Sequence, residues 1–142
     1  ILAGNFNMTN VKELFQNLVD LGQHPKEYTD TITIMEKIGH FLDDAVSKIY
    51  KDLKKEGYSK HECSPLIAER LKVHKILKRA AKNWDGGYVM CGMIGHGDAF
   101  ALRDPSAIRP GYYYKDDEEI VIFNNYTNPY GTNPKSFDSW CL

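Results

Sequence analysis

The sequence predicts an α+β fold with an antiparallel sheet, and two observations carry that prediction. Up to about Asn83 the apolar residues recur with the 3.6-residue rhythm of amphipathic helices, and from Trp84 onward they fall into short runs broken by glycines. Helices grouped ahead of hairpins, rather than alternating one by one with strands, argue for antiparallel pairing and not for parallel βαβ units.

Residues 1–5 form a short apolar lead-in that reads as a strand end. A strand-like run beginning at residue one implies sequence before it, so the chain is expected to be an internal fragment of something longer. Thr9 or Asn10 then offers a helix N-cap, and Asn10 has Glu13 three residues later in a capping-box-like spacing. Val11, Leu14, Phe15, Leu18 and Leu21 mark one apolar face that Gly22 would close, which predicts a helix over 11–21.

After the connection 23–26, the stretch Tyr28-Thr-Asp-Thr supplies a second set of capping residues. Ile34, Met35, Ile38, Phe41, Leu42, Ala45, Val46, Ile49 and Leu53 then keep the i, i+3, i+4, i+7 spacing of a long amphipathic helix ending near Gly57. Its other face carries Lys48, Lys51, Asp52, Lys54, Lys55 and Glu56, a charge run that reads as a solvated surface. Ser64-Pro65 is the expected start of a further helix running to about Asn83, with Leu66, Ile67, Leu71, Val73, Ile76, Leu77 and Ala80 on apolar positions.

Past Trp84-Asp-Gly-Gly, the runs 88–94 and 99–102 flank Gly95-His-Gly97 and predict a hairpin with a tight turn. Residues 112–115 and 119–123, split by Asp116-Asp117, predict a second hairpin. In 124–142 Asn, Pro, Tyr, Gly and Ser dominate and no period holds, so that stretch reads as an irregular tail.

A length of 142 residues suits one domain with a real core. Eighteen Lys and Arg balance nineteen Asp and Glu for a net charge of -1, which supplies no basic field for nucleic acid or an anionic membrane. No apolar run reaches membrane length. Cys63, Cys91 and Cys141 are odd in number and form no CxxC pair, so a reducing compartment is expected and the predicted location is cytoplasmic.

Several residues could carry chemistry. Asn5 can donate its side-chain amide to a developing oxyanion, with a neighbouring backbone N–H as second donor; equally, the asparagines of NFNMTN can cap and turn a strand into a helix. Asp30 can satisfy free N–H groups at the start of the long helix, or hold an ammonium group. His96 and Cys91 lack a second ligand at metal spacing, and Gly92-x-x-Gly95-x-Gly97 opens no helix, so neither a zinc site nor a phosphate loop is expected. His61 and Cys63 are read as surface residues in a loop between helices.

Together, NFNMTN, TDTIT and GGYVMCGMIGHGDAFALRDPSAIRP resemble the glutaminase domain of the amidophosphoribosyltransferases, which are class II glutamine amidotransferases of purine biosynthesis. Members of that family carry an Asn-Gly-Asn-Leu-Thr-Asn-like stretch, a Ser-Asp-(Ser/Thr) stretch and a strand pair ending in Phe-Arg-Asp-Pro-x-Gly-Ile-Arg-Pro. Here residues 5–10, 29–31 and 102–110 match them in order, and the likeness covers residues 1–121. Phe6 stands where most relatives have a glycine. The helical region 44–83 is longer than in better-known relatives, and the sequence after Val121 resembles nothing in the family.

The resemblance implies an N-terminal nucleophile hydrolase fold, a four-layer α-β-β-α sandwich of antiparallel sheets, with residues 1–123 as a partial domain that carries an enlarged helical insertion and 124–142 as a divergent tail. It implies that an N-terminal cysteine attacks the side-chain amide of glutamine, and that the ammonia passes to phosphoribosyl pyrophosphate in a following domain, where the parent uses magnesium. By motif position, Asn5 would give its side-chain amide and Phe6 its backbone N–H to the oxyanion, and Asp30 would bind the α-amino group of glutamine. The cysteine, and the arginine and histidine motif that grips the carboxylate, should lie before Ile1, so the segment alone is expected to be inactive; sheet edges left open would favour a homo-oligomer. Two rival readings are another class II amidotransferase, of the glucosamine-6-phosphate or asparagine synthase type, and a non-catalytic interaction domain. The Arg-Asp-Pro-x-x-Ile-Arg-Pro stretch favours the purine enzyme.

Overall fold

A computed structural model describes residues 1–118, 120–123, 135–136 and 139–141. The chain forms two compact units, Ile1–Val11 with Trp84–Leu142, and Lys12–Asn83. Antiparallel strands build the first and helices the second, so the α+β expectation holds.

In the helical unit, α1 spans Val11–Asp20 and buries Leu14 and Leu18 completely, each leucine contributing about 1.5–3 kcal/mol of transfer free energy. It stops as the sequence predicts: Gly22 adopts φ +80°, and Gln23 N–H donates back to Leu18 O at 2.9 Å. The long helix α2 spans Asp30–Lys55. Its N-cap is Thr29, whose hydroxyl accepts from Ile32 N–H at 3.3 Å, and Asp30 is the first helical residue. At the far end Gly57 turns the chain with φ +95°. Met35, counted on the apolar face by periodicity, is 44% exposed.

The stretch expected to be one helix from Ser64 is two. α3 spans Lys60–Arg70 and starts at a capping box in which Ser59 and Glu62 exchange side-chain and backbone bonds. Pro65 therefore lies inside α3, where it removes a hydrogen bond but does not end the helix. Leu71 and Lys72 leave helical geometry, with ψ of 128° and 85°, and α4 begins at Val73 and runs to Ala80. The break lets Leu71 and Val73 both reach buried positions, and α3 and α4 both pack on α2. His61 and Cys63 belong to α3 rather than to a loop, and Cys63, read as a surface residue, is 1% exposed.

In the strand unit, β1 (Leu2–Met8), β2 (Gly86–Met93), β3 (Ala99–Arg103), β4 (Tyr112–Lys115), β5 (Ile120–Phe123), β6 (Lys135–Ser136) and β7 (Ser139–Cys141) form two antiparallel sheets. Their strand orders are β1-β2-β3-β7 and β5-β4-β6. The β2–β3 turn closes through Ile94 N–H to Asp98 O, with Gly97 at φ +109°. Val89 and Ala101 of the first sheet are buried against Tyr113 and Ile122 of the second, so two sheets face each other across an apolar layer. β6 and β7 lie in the stretch read as an irregular tail; the rest of 124–142 lies outside the described residues.

Candidate functional site

β1 carries two of the three residues singled out for chemistry. It pairs with β2 in a continuous register, Asn5 opposite Val89, Phe6 opposite Tyr88 and Asn7 opposite Gly87. The phase of that ladder decides which backbone groups remain available. Ile1 and Met93 exchange both N–H···O bonds at 3.0 Å, and Thr9 N–H donates to Asp85 O at 3.0 Å. In an antiparallel ladder such pairs alternate, so the odd-numbered residues of β1 turn their N–H and C=O groups toward β2, and Gly4 and Phe6 turn theirs away.

β1 is also the end strand of its sheet among the described residues. The Phe6 N–H therefore points out along an edge that no described strand occupies, while the backbone of Asn5 is spent in the ladder and only its side chain is left to act.

The side chains divide by face. Cross-strand partners share a face, which places Asn5 and Asn7 with Val89 and Ala101 on the side that meets the second sheet. Phe6 lies on the opposite side with Tyr88. Its ring folds back over Gly4: a Cβ at Gly4 would stand 2.7 Å from Phe6 Cζ and 2.5 Å from Val89 O. The bulk of the position-6 side chain is thus kept off the Asn5 face.

Asn10, read as a helix cap, reaches across to Asp85, whose N–H donates to its side-chain oxygen at 3.2 Å. Thr9 donates its hydroxyl to the Asp85 carboxylate. These bonds pin the turn that follows β1, so the NFNMTN stretch is locked at its distal end. Asp30 belongs to the helical unit, half-buried at the start of α2. Its position at the helix N-terminus suits a carboxylate.

The Arg-Asp-Pro stretch, a signature in the sequence, has a structural role of its own. Asp104 is 1% exposed, and its carboxylate accepts from Ile108 N–H at 2.8 Å, Arg109 N–H at 3.0 Å and Tyr88 N–H at 3.3 Å. Burial pushes its pKa up, but the N–H groups of Arg109, Ile108 and Tyr88 and the charge of Arg103 prevail and hold it below the ordinary carboxylate value. The loop from β3 to β4 is thereby tied to β2. The Asp-Pro dipeptide was the available signal, because aspartate before a turn commonly collects the following N–H groups.

Ala107 in that loop has φ +56°, a left-handed conformation that favours glycine. Two further residues escaped the sequence reading. Lys37 is buried on α2 and donates to Lys82 O at 3.0 Å; desolvation lowers its pKa, partly offset by Glu13. Tyr88 is pushed up to about 12 by burial and by Asp104, so its phenol stays protonated at neutral pH and supplies no base. His96 sits in the β2–β3 turn, with Nε2 at 3.0 Å from Asp98 Oδ2. Among the described residues no group of three or more His, Cys, Asp or Glu could hold a metal ion, and no helix is long and apolar enough to cross a membrane.

No family model and no curated protein sequence matches the chain. Among solved structures it is similar to the glutamine phosphoribosylpyrophosphate (PRPP) amidotransferase from B. subtilis, complexed with ADP and GMP, with a TM-score of 0.56 and 18% sequence identity. The match covers 85% of this chain and 20% of that one, so the chain spans about a fifth of the length of its structural neighbour. At this identity the likeness establishes the fold shared with that enzyme over most of the chain.

Proposed function

We propose that the chain is part of the glutamine-hydrolysing domain of an amidophosphoribosyltransferase-like enzyme, built on the N-terminal nucleophile hydrolase sandwich. The single observation that carries the reading is the division of labour on β1. The ladder consumes the backbone of Asn5 and leaves its side-chain amide, and it turns the Phe6 N–H to an edge that no described strand occupies. This is the pair of donors that the resemblance assigns to the oxyanion. The two facing antiparallel sheets and the structural likeness to a PRPP amidotransferase support the same reading.

In the mechanism, a cysteine thiolate of the parent protein attacks the side-chain carbonyl of glutamine, and negative charge gathers on the oxygen. The Asn5 amide and the Phe6 N–H donate to that oxygen, donors whose strand geometry exists before substrate arrives and which cost no reorganisation in the transition state. Asp30 takes the α-ammonium of the substrate as a charge-assisted bond. Collapse of the tetrahedral species expels ammonia, and water then releases glutamate from the enzyme thiol. Transfer of ammonia to phosphoribosyl pyrophosphate, and any magnesium it needs, belong to the rest of the parent, and the 142-residue chain alone is expected to be inactive.

The test is ammonia release from glutamine by the parent protein. Asn5→Ala should lower kcat by about 10²–10³, the usual loss for one oxyanion donor. Asp30→Ala should act mainly on KM. An intact parent with an N-terminal cysteine that releases no ammonia, or full kcat in Asn5→Ala, overturns the proposal.

A further inference from the structure

The near-zero charge of the whole chain conceals a segregation. Residues 48–82 hold eleven Lys and Arg against four Asp and Glu, which leaves seven against fifteen elsewhere. Such an asymmetry between parts of one chain points to a polyanionic partner for the basic part. A net charge averages over distances that salt screens within about 10 Å, so the local arrangement decides.

The helical unit gathers part of this charge into a line. Three contacts fix the course of the chain beside α2: Lys37 Nζ to Lys82 O at 3.0 Å, Arg79 to Asp44 at 2.6 Å and Arg70 to Glu56 at 2.9 Å. Residue numbers rise along α2 as they fall on the opposite side, so α4 runs antiparallel to α2, Lys75 stands level with Lys48, and Lys72 with Lys51. The Asp44–Arg79 pair also identifies the flanks that meet. Residues four and seven positions apart share a helix face, so Lys48 and Lys51 continue from Asp44 on α2. By the same spacing Lys75, and Lys72 at the N-cap, continue from Arg79 on α4. All four lysines are exposed, and none enters an ion pair among the described residues. The carboxylate nearest them along α2, Asp52, faces Lys55 at 3.5 Å. Like charges set side by side on two packed helices repel, and anions laid along the seam remove that repulsion.

The chemistry of the seam selects among polyanions. Its arginine, Arg79, is committed to Asp44 and to the Phe41 ring at 4.5 Å, so the remaining cations are lysines, point charges that suit phosphate rather than forks that suit carboxylates. No exposed large apolar side chain lies on either stripe to enter a bilayer, because α4 spends Val73, Ile76, Leu77 and Ala80 in the core. No exposed aromatic stands there for unpaired bases to stack on, which disfavours a single strand. Along each helix the lysines are about 4.5 Å apart, and a duplex offers roughly one phosphate per 1.7 Å of its axis, so each lysine can meet one.

We propose that the α2–α4 seam of Lys48, Lys51, Lys72 and Lys75 binds the phosphate backbone of duplex nucleic acid without reading its sequence. The proposal stands independently of the glutamine-hydrolysing reading.

Binding of the 142-residue chain to a short fluorescent DNA duplex of mixed sequence is read by anisotropy. Affinity should fall roughly 10²-fold between about 50 and 200 mM salt, as expected for about four neutralised phosphates. The triple variant Lys48→Gln/Lys51→Gln/Lys75→Gln should weaken binding roughly 10–100-fold at about 100 mM salt and flatten the logarithmic salt slope by about 2–3. An equal charge change off both stripes, Lys12→Gln/Lys26→Gln/Lys60→Gln, should stay within about threefold of the parent chain. Thermal melts verify folding; if the seam triple does not fold, Lys48→Gln and Lys75→Gln taken singly should each flatten the slope by about one. Equal loss in both triples, no duplex binding at about 50 mM salt, or tighter seam-dependent binding to phosphatidylserine vesicles or to polyglutamate than to the duplex overturns the proposal.

Discussion

Asp104 shows what a single residue does here. One carboxylate collects three backbone N–H groups in a site that water does not reach, and it joins the β3–β4 loop to β2. Asp104→Asn replaces an ionised acceptor with a group that turns N–H against N–H, and it should cost about 2–4 kcal/mol in chemical denaturation. The folded carboxyl is held below its ordinary value, so its contribution is present above about pH 3.9 and is lost as pH falls through the lower folded value. The melting temperature should fall over that acid interval, and the Asp104→Asn variant should show a smaller fall. Ala107 lies in the same loop at φ +56°, where an L side chain is strained by about 1–2 kcal/mol. Ala107→Gly relieves that strain but loosens the unfolded chain by about 0.4–1 kcal/mol, so a net gain of about 0.5–1 kcal/mol is expected in the same denaturation assay.

At the scale of elements, the helices whose ends carry ordinary punctuation were legible. Gly22 and Gly57 stop α1 and α2 in left-handed conformations, close to where the sequence places those ends. At α3 local sequence misleads, because Ser64-Pro65 has the form of a helix start, where proline suits the first turn, yet lies inside the helix. The Ser59-x-x-Glu62 capping box outweighed it, since two reciprocal bonds fix the helix start while one interior proline removes a single bond. Gly39 offers a test of α2. It lies mid-helix with ordinary φ, and a Cβ there would meet nothing within 4 Å. Gly39→Ala should therefore stabilise the protein by about 0.5–1 kcal/mol through helix propensity alone, measurable as a higher urea midpoint with unchanged slope.

For the whole molecule, the α+β class and the hairpins followed from hydrophobic periodicity, because after the leading strand β1 the chain keeps a helical period until near Trp84, where the helices end and the hairpin strands begin. The facing of two sheets was expected only through family resemblance, and Val89 and Ala101 against Tyr113 and Ile122 now give it a physical basis. Two short strands within the aperiodic stretch after Asn124 had no local signal, since they are defined by their partners, β4 and β3. The sequence by itself determined the helical faces, the turns at Gly22, Gly57 and Gly97, and the presence of an asparagine with a following backbone donor on β1. Only the tertiary structure decided that the Phe6 N–H faces an edge no described strand occupies, that its ring lies away from Asn5, and that Asp104 brings the stem of Arg109 over Gly87. Those facts depend on ladder phase and on bonds between residues far apart in the chain, whereas periodicity and capping express interactions within a few residues, which a sequence displays directly.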